Sequence, residues 1–155
     1  MKQIVIEAPN PGYGSSQHEA VFLGGGISDC PDWQGYFINK LQFFVEEYTI
    51  YNPRRCGFDM TDPDQSRIQI DWEHNHLDAA SVIVFWFPKE TLCPITLFEL
   101  GKYCRDRSKH LIVGCHTEYK RRMDVVEQMK LVRPGLFVHS NLNDMVNELH
   151  YHLTY

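Results

Sequence analysis

The chain lacks the marks of an extracellular, membrane or nucleic-acid-binding protein. Its five cysteines are an odd number with no CxxC pair, which fits free thiols in a reducing compartment and not a disulfide framework. No apolar run approaches the roughly 18 residues a membrane helix needs. The opening Met1-Lys2-Gln3-Ile4-Val5-Ile6-Glu7 has neither the apolar core nor the small-residue cleavage site of a secretory signal. A soluble cytoplasmic protein with no membrane partner is expected. A basic surface is missing as well: Lys and Arg total 15 against 20 Asp and Glu, a formal charge of −5. That argues against a nucleic-acid polymer as partner, while leaving room for a small phosphorylated ligand held by one or two arginines. Repeats, low-complexity stretches and Gly/Ser linkers are absent, so residues 1–155 read as one domain.

Metal and nucleotide signatures are equally scarce. His74 and His76, like His150 and His152, are spaced two apart, and on a helix each pair points to different faces. Cys115-His116 has no matching pair, and HExxH does not occur; no metal and no cofactor is expected. Neither GxGxxG nor GxxxxGK[ST] is present, which weakens dinucleotide-dehydrogenase and ATPase readings.

What is present is alternation between short apolar runs and longer amphipathic segments. Ile4-Val5-Ile6, Ala20-Val21-Phe22-Leu23, Tyr48-Thr49-Ile50-Tyr51, Leu111-Ile112-Val113 and Leu136-Phe137-Val138 read as strands. Val82-Ile83-Val84-Phe85-Trp86-Phe87 is apolar without alternation, as a central parallel strand covered on both faces is. Helices are expected after Asp32, with Trp33, Phe37, Leu41 and Phe44 on one stripe, and over 63–80, with Ile68, Trp72, His76 and Ala79 inward. Further helices are expected over 94–107, 118–132 and 141–153, the first opened by Pro94. Strand and helix in turn make a doubly wound α/β fold, flavodoxin-like or Rossmann-like, with a mostly parallel five-stranded sheet and helices on both faces. Ligands of such folds bind beyond the carboxyl ends of the strands, so the loops after Leu23, Tyr51 and Phe87 should line a site.

Five features there can carry chemistry. Gly24-Gly25-Gly26 either lets the backbone approach a ligand, with positive φ permitted, or simply makes a tight strand-to-helix turn. Asn52-Pro53-Arg54-Arg55 opens a polar loop whose arginines hold a phosphate or carboxylate, or are solvated. Glu99, early in the helix after the central run, is a candidate nucleophile or an exposed partner for Lys102. Glu73 on the preceding helix is a candidate second carboxyl, or a surface residue. Cys93 at the mouth of a helix is a reactive thiol or a half-buried spectator.

Taken in order, Val21-Phe22-Leu23-Gly24-Gly25, Tyr51-Asn52-Pro53-Arg54-Arg55, Gln69-Ile70-Asp71-Trp72-Glu73, Val82 to Phe87, and Pro94-Ile95-Thr96-Leu97-Phe98-Glu99-Leu100-Gly101 resemble the nucleoside 2-deoxyribosyltransferase superfamily, in its deoxyribosyltransferase-like branch. The resemblance implies a flavodoxin-like fold, a homo-oligomer whose sites borrow residues from a neighbouring subunit, and cleavage of the N-glycosidic bond of deoxynucleosides or their monophosphates. Catalytic roles fall on Glu99, attacking the anomeric carbon, and Glu73, beside the leaving base; Phe22, Gly24, Gly25, Asn52, Arg54 and Arg55 are expected to bind substrate. Relatives carry an aspartate six residues before the nucleophile, where this chain has Cys93, and Met1 to Glu19 matches no part of the pattern. A hydrolase acting on a phosphorylated substrate, and a catalytically silent nucleotide sensor with the same pocket, are the alternatives.

Overall fold

In a computed structural model that describes residues 3–44 and 46–155, strands and helices follow one another as β1 (Ile4–Glu7), β2 (Glu19–Gly25), α1 (Trp33–Leu41), β3 (Tyr48–Asn52), α2 (Pro63–Ala79), β4 (Val82–Phe87), α3 (Pro94–Tyr103), β5 (His110–Cys115), α4 (Arg122–Val132), β6 (Val138–His139) and α5 (Leu142–Thr154). The sheet runs β1-β3-β2-β4-β5-β6, and every pairing is parallel. Without β1, this is the flavodoxin-like strand order, reversing between β2 and β4.

The continuous apolar run of β4 is explained by two cores rather than one. Ile83, Phe85 and Phe87 face a layer that includes Trp72 and Leu77 of α2, Leu100 of α3 and Met129 of α4. Val82, Val84 and Trp86 face Trp33, Phe37 and Leu41 of α1 with Met145 and Leu149 of α5. Both faces of the strand are dry, so no polar residue is admitted on either parity. Helix starts follow their local chemistry. The Asp32 carboxylate accepts from Gly35 N at 2.9 Å, Asp62 caps α2 ahead of Pro63, and Asn141 Oδ1 accepts from Asp144 N at 2.9 Å.

Several boundaries differ from the sequence reading. The sheet has six strands, not five, because the N-terminal segment adds β1 to the free edge of β3, with Ile4 opposite Thr49 and Glu7 opposite Asn52. The residues after it strap across α2. Trp72 Nε1 donates to Asn10 O at 2.6 Å, and the His76 ring lies between Trp72 and Tyr13 at 4.0 and 4.6 Å. That strap takes the place on α2 that a regular stripe would have filled: Gln69 and Leu77 are buried with Trp72 and His76, whereas Ile68 is 51% exposed and Ala79 is also exposed. α3 ends at Tyr103, short of Arg107, and α4 begins at Arg122, since residues 116–122 make two successive turns, closed by Tyr119 N donating to His116 O and Arg122 N donating to Tyr119 O. β6 is confined to Val138–His139, after Leu136 N turns back to Arg133 O.

Gly25 is the tightest point of the fold beside the switch point. A Cβ there would lie 2.6 Å from Trp33 Cζ2 and closer still to the carbonyl oxygen of Trp86. The glycine run is thus explained by packing; positive φ among glycines is found at Gly57 and Gly135 instead. Gly25→Ala is expected to destabilise the protein by about 1–3 kcal/mol through overpacking against backbone. Urea unfolding should show a lower midpoint at unchanged slope.

Candidate active site

At the carboxyl ends of β2 and β4 lies a cleft of about 290 Å³, where a doubly wound sheet places its ligands. Phe22 forms its floor from β2, packed against Trp72 with ring centroids 6.1 Å apart. The loop after β2 supplies Gly24 to Ser28, the loop after β3 supplies Pro53 and Met60, and the loop after β4 supplies Thr91 and Cys93. Glu73 enters from α2 and Glu99 from α3. Five of the residues singled out in the sequence therefore meet in one place: Phe22, Gly24, Gly25, Glu73 and Glu99.

The two carboxyls are desolvated together. Burial, reinforced by the charge of Glu73, pushes the Glu99 carboxyl up to about 8. Burial also raises Glu73, opposed by a hydrogen bond from Gln69 and the charge of Arg55. Gln69 Nε2 donates to Glu73 Oε1 at 2.8 Å and to Pro53 O at 2.9 Å, so one buried amide fixes both the carboxyl and the loop. Lys102, the partner an exposed Glu99 would have sought, approaches His74 Nδ1 at 3.2 Å. Glu99 therefore holds its proton through neutrality, because burial and the charge of Glu73 both oppose its ionisation. Among the described residues, no group of three or more His, Cys, Asp or Glu is placed to hold a metal ion.

Of the expected substrate-binding residues, Asn52, Arg54 and Arg55 stand outside this cleft. Asn52 is buried at the end of β3, where its Oδ1 accepts from Arg54 N at 3.1 Å. Arg54 is committed within the protein: Nε lies 2.9 Å from Gln34 Oε1 and 3.1 Å from Asp32 Oδ1, and its NH2 group reaches Pro31 O at 3.1 Å and Gly26 O at 3.4 Å. It ties the glycine loop to the start of α1. Arg55 lines a smaller side pocket of about 110 Å³ that shares Ile27, Ser28, Pro53, Met60 and Glu73 with the main cleft.

Sequence reasoning missed Gln69, Met60, Thr91 and Thr96. Gln69 was reachable, being four residues before Glu73 and so on its helix face; the loop residues carry no periodic signal. Cys93 lines the cleft as a thiol that burial pushes up to about 12, which argues against a reactive thiolate. Its φ of 49° is left-handed, an unusual conformation for a residue that also precedes a proline. Asp29, in the glycine loop, has φ of 60°. Strained backbone in both loops flanking one cleft is characteristic of sites held for function.

The flavodoxin-like sheet thus carries, at its switch point, a cleft of about 290 Å³ with two half-buried carboxyls in it. The family described as nucleoside 2-deoxyribosyltransferase like matches residues 18–119, and the chain belongs to that family. The match covers all the cleft residues named above and stops before α4. No curated protein matches the sequence significantly. No helix among the described residues is long and apolar enough to cross a membrane.

The raised Glu99 acid makes stability depend on pH in a definite sense. Between its ordinary value of 4.5 and its native value of about 8, the folded protein holds a proton that the unfolded chain releases. Stability therefore falls as pH rises through that window and levels off above it. Glu99→Gln removes the penalty. Its melting temperature is expected to exceed wild type by several degrees near about pH 9 and to match it near about pH 4. An equal difference at both pH values would mean that Glu99 is hydrated.

Proposed function

We propose that the protein cleaves the N-glycosidic bond of a deoxynucleoside, nucleoside or 5′-monophosphate, passing the sugar through a covalent ester on Glu99 to a second base or to water. The observation that carries this reading is the convergence of Glu99 and Glu73, from neighbouring helices, in one desolvated cleft at the switch point. Family membership supplies the class of reaction.

The steps follow from what two carboxyls sharing a proton can do. A Glu99 oxygen attacks the anomeric carbon as the bond from that carbon to the base nitrogen breaks, and the bonding pair leaves with the base. Glu73 delivers the shared proton to that base, then accepts one from the incoming water or acceptor base, which displaces Glu99 and restores the acid. The transition state is oxocarbenium-like, so an anion beneath the anomeric carbon in a low-dielectric site stabilises the developing charge. Glu73 has Gln69 and Arg55 to favour its anion, while Glu99 has Lys102 alone. The proton therefore rests on Glu99, and substrate binding must transfer it to Glu73 or to the base. Phe22, Gly24 and Gly25 form the wall against which the nucleoside lies. Asn52 and Arg54 act indirectly, by fixing the loops that carry that wall.

The test is chromatographic detection of free base from a panel of nucleosides and 5′-monophosphates, with and without an acceptor base. Glu99→Ala is expected to lower release by at least about 10³-fold, and Glu73→Gln by about 10²–10⁴-fold. A singly protonated pair predicts a bell-shaped kcat/KM profile whose basic limb falls near the Glu99 value of about 8. Acceptor dependence separates transferase from hydrolase. Tight nucleotide binding without base release from any substrate would point instead to a silent sensor.

The proposed assembly is a homo-oligomer. Its support is the apolar surface beside the cleft: Ile70 on α2 and Ile95 and Phe98 on α3 are 62%, 62% and 73% exposed, and Ile95 lines the cleft itself. Light scattering should give a mass of at least two chains, reduced to one by Phe98→Asp. A wild-type monomer at micromolar concentration would remove this part of the reading.

A further inference from the structure

Residues 3–14 lie ahead of the family match, which begins at residue 18, yet they are built into the fold: after β1, Asn10 to Gly14 cross α2 as a strap. Three contacts fasten it. Trp72 Nε1 donates to Asn10 O at 2.6 Å, Gly14 N donates to the Tyr51 hydroxyl at 3.3 Å, and His76 meets Gly12 O through Nε2 at 2.9 Å. The other ring nitrogen of His76, Nδ1, lies 2.7 Å from Trp72 O.

Both partners of the ring are carbonyl oxygens, and a carbonyl only accepts. A neutral imidazole has one N–H, so in either tautomer one nitrogen would set its lone pair against an oxygen at hydrogen-bond distance. Only a ring with hydrogen on both nitrogens satisfies both contacts. The surroundings favour a cation: the ring is sandwiched between the faces of Trp72 and Tyr13, centroids 4.0 and 4.6 Å away, and Tyr51 of β3 stands across it at 4.8 Å. His76 is 1% exposed, so water replaces neither carbonyl. Among the described residues no carboxylate pairs with the ring; Glu73, one turn before it on α2, answers to Gln69 and Arg55.

We propose that the strap is a proton-dependent clamp: His76 as an imidazolium pins it to α2, and loss of one ring proton releases it and frees Trp72. The only bond that changes is an N–H, whose proton passes to water or hydroxide and leaves a lone pair facing a carbonyl. The closed strap binds one proton more than the open one, so closure weakens as pH rises. Release reaches the candidate site because Trp72 packs on Phe22, the floor of the cleft, and adjoins Glu73 in α2. The clamp stands on the strap's own contacts and does not depend on the glycosidic reading.

NMR of the full chain with nitrogen-labelled histidine and tryptophan decides the matter, the His76 ring nitrogens being followed beside hydrogen exchange of the Trp72 indole N–H. With the strap closed, both ring nitrogens should carry hydrogen. Raising pH from about 5.5 to about 9.5 should remove one of them and, over the same range, lower the indole protection factor at least about tenfold. Glu99 titrates in that window as well, so the coincidence is expected to persist in Glu99→Gln. His76→Phe keeps an aromatic ring in the stack without either donor, and its indole should be as weakly protected at low pH as that of wild type at high pH. Should that variant not fold, the wild-type titration decides alone. A bare ring nitrogen beneath a protected Trp72, retention of both hydrogens throughout, an indole indifferent to the ring proton, or a coincidence lost in Glu99→Gln overturns the proposal. Base release enters none of these readouts, so failure of the clamp and failure of the glycosidic reaction are told apart.

Discussion

Two carboxyl groups withdrawn from water into one cleft are the constraint around which this molecule is arranged. Placing Glu99 and Glu73 together costs stability, because both are desolvated and the charge of Glu73 opposes ionisation of Glu99. A fold tolerates such a pair only where the surrounding contacts are strong enough to hold it. Here they are: β4 is buried on both faces by two separate apolar layers, and α2 and α3, which carry the acids, are clamped to one of them by Trp72, Leu77 and Leu100. The pair lies at the switch point because the loops after β2 and β4 diverge there, and a parallel sheet has no side chains of its own to fill the gap.

The supporting shell is economical in its polar groups. Gln69 bridges Glu73 and the backbone of Pro53, so the second acid and the loop after β3 move as one unit. Arg54 does the same for the glycine loop. The Gly26 carbonyl receives Trp33 Nε1 at 2.9 Å, Gln34 Nε2 at 3.3 Å and the Arg54 guanidinium at 3.4 Å. Three donors on one carbonyl fix the loop that forms one wall of the cleft. Arg54 and Arg55, adjacent in sequence, are thereby divided between places: the first ties the glycine loop to α1, the second packs on Phe58 and reaches Gln65 beside a side pocket.

The sequence carried most of this architecture and less of the site. Apolar runs and caps such as Asp32, Asp62 and Asn141 marked the strands and the helix starts, because burial on both faces and capping chemistry leave a local signature. Ile4-Val5-Ile6 was legible as a strand, but neither its pairing into the sheet as a sixth strand nor the strap from Asn10 to Tyr13 was. Their places depend on a free sheet edge and on an aromatic stack around His76, both of which are tertiary facts. That strap also upset the expected stripe of α2. Glu99 and Glu73 were legible as a pair through family resemblance, and as carboxyls on adjacent helices. Their desolvation was not, because spacing says nothing about what covers a carboxylate. Arg54 and Arg55 looked alike for the same reason.

Cys93 bears on the charge balance of the cleft. The deoxyribosyltransferase pattern that the sequence resembles has an aspartate here, and a third carboxyl would add negative charge to a cavity that already holds Glu99 and Glu73. The thiol is neutral, held high by burial. Its backbone is left-handed at φ 49°, a conformation that aspartate adopts more readily than cysteine. With a neutral side chain at this position, the charge that opposes ionisation of Glu99 comes from Glu73, and the strained loop after β4 and the desolvated acid meet in the same cleft.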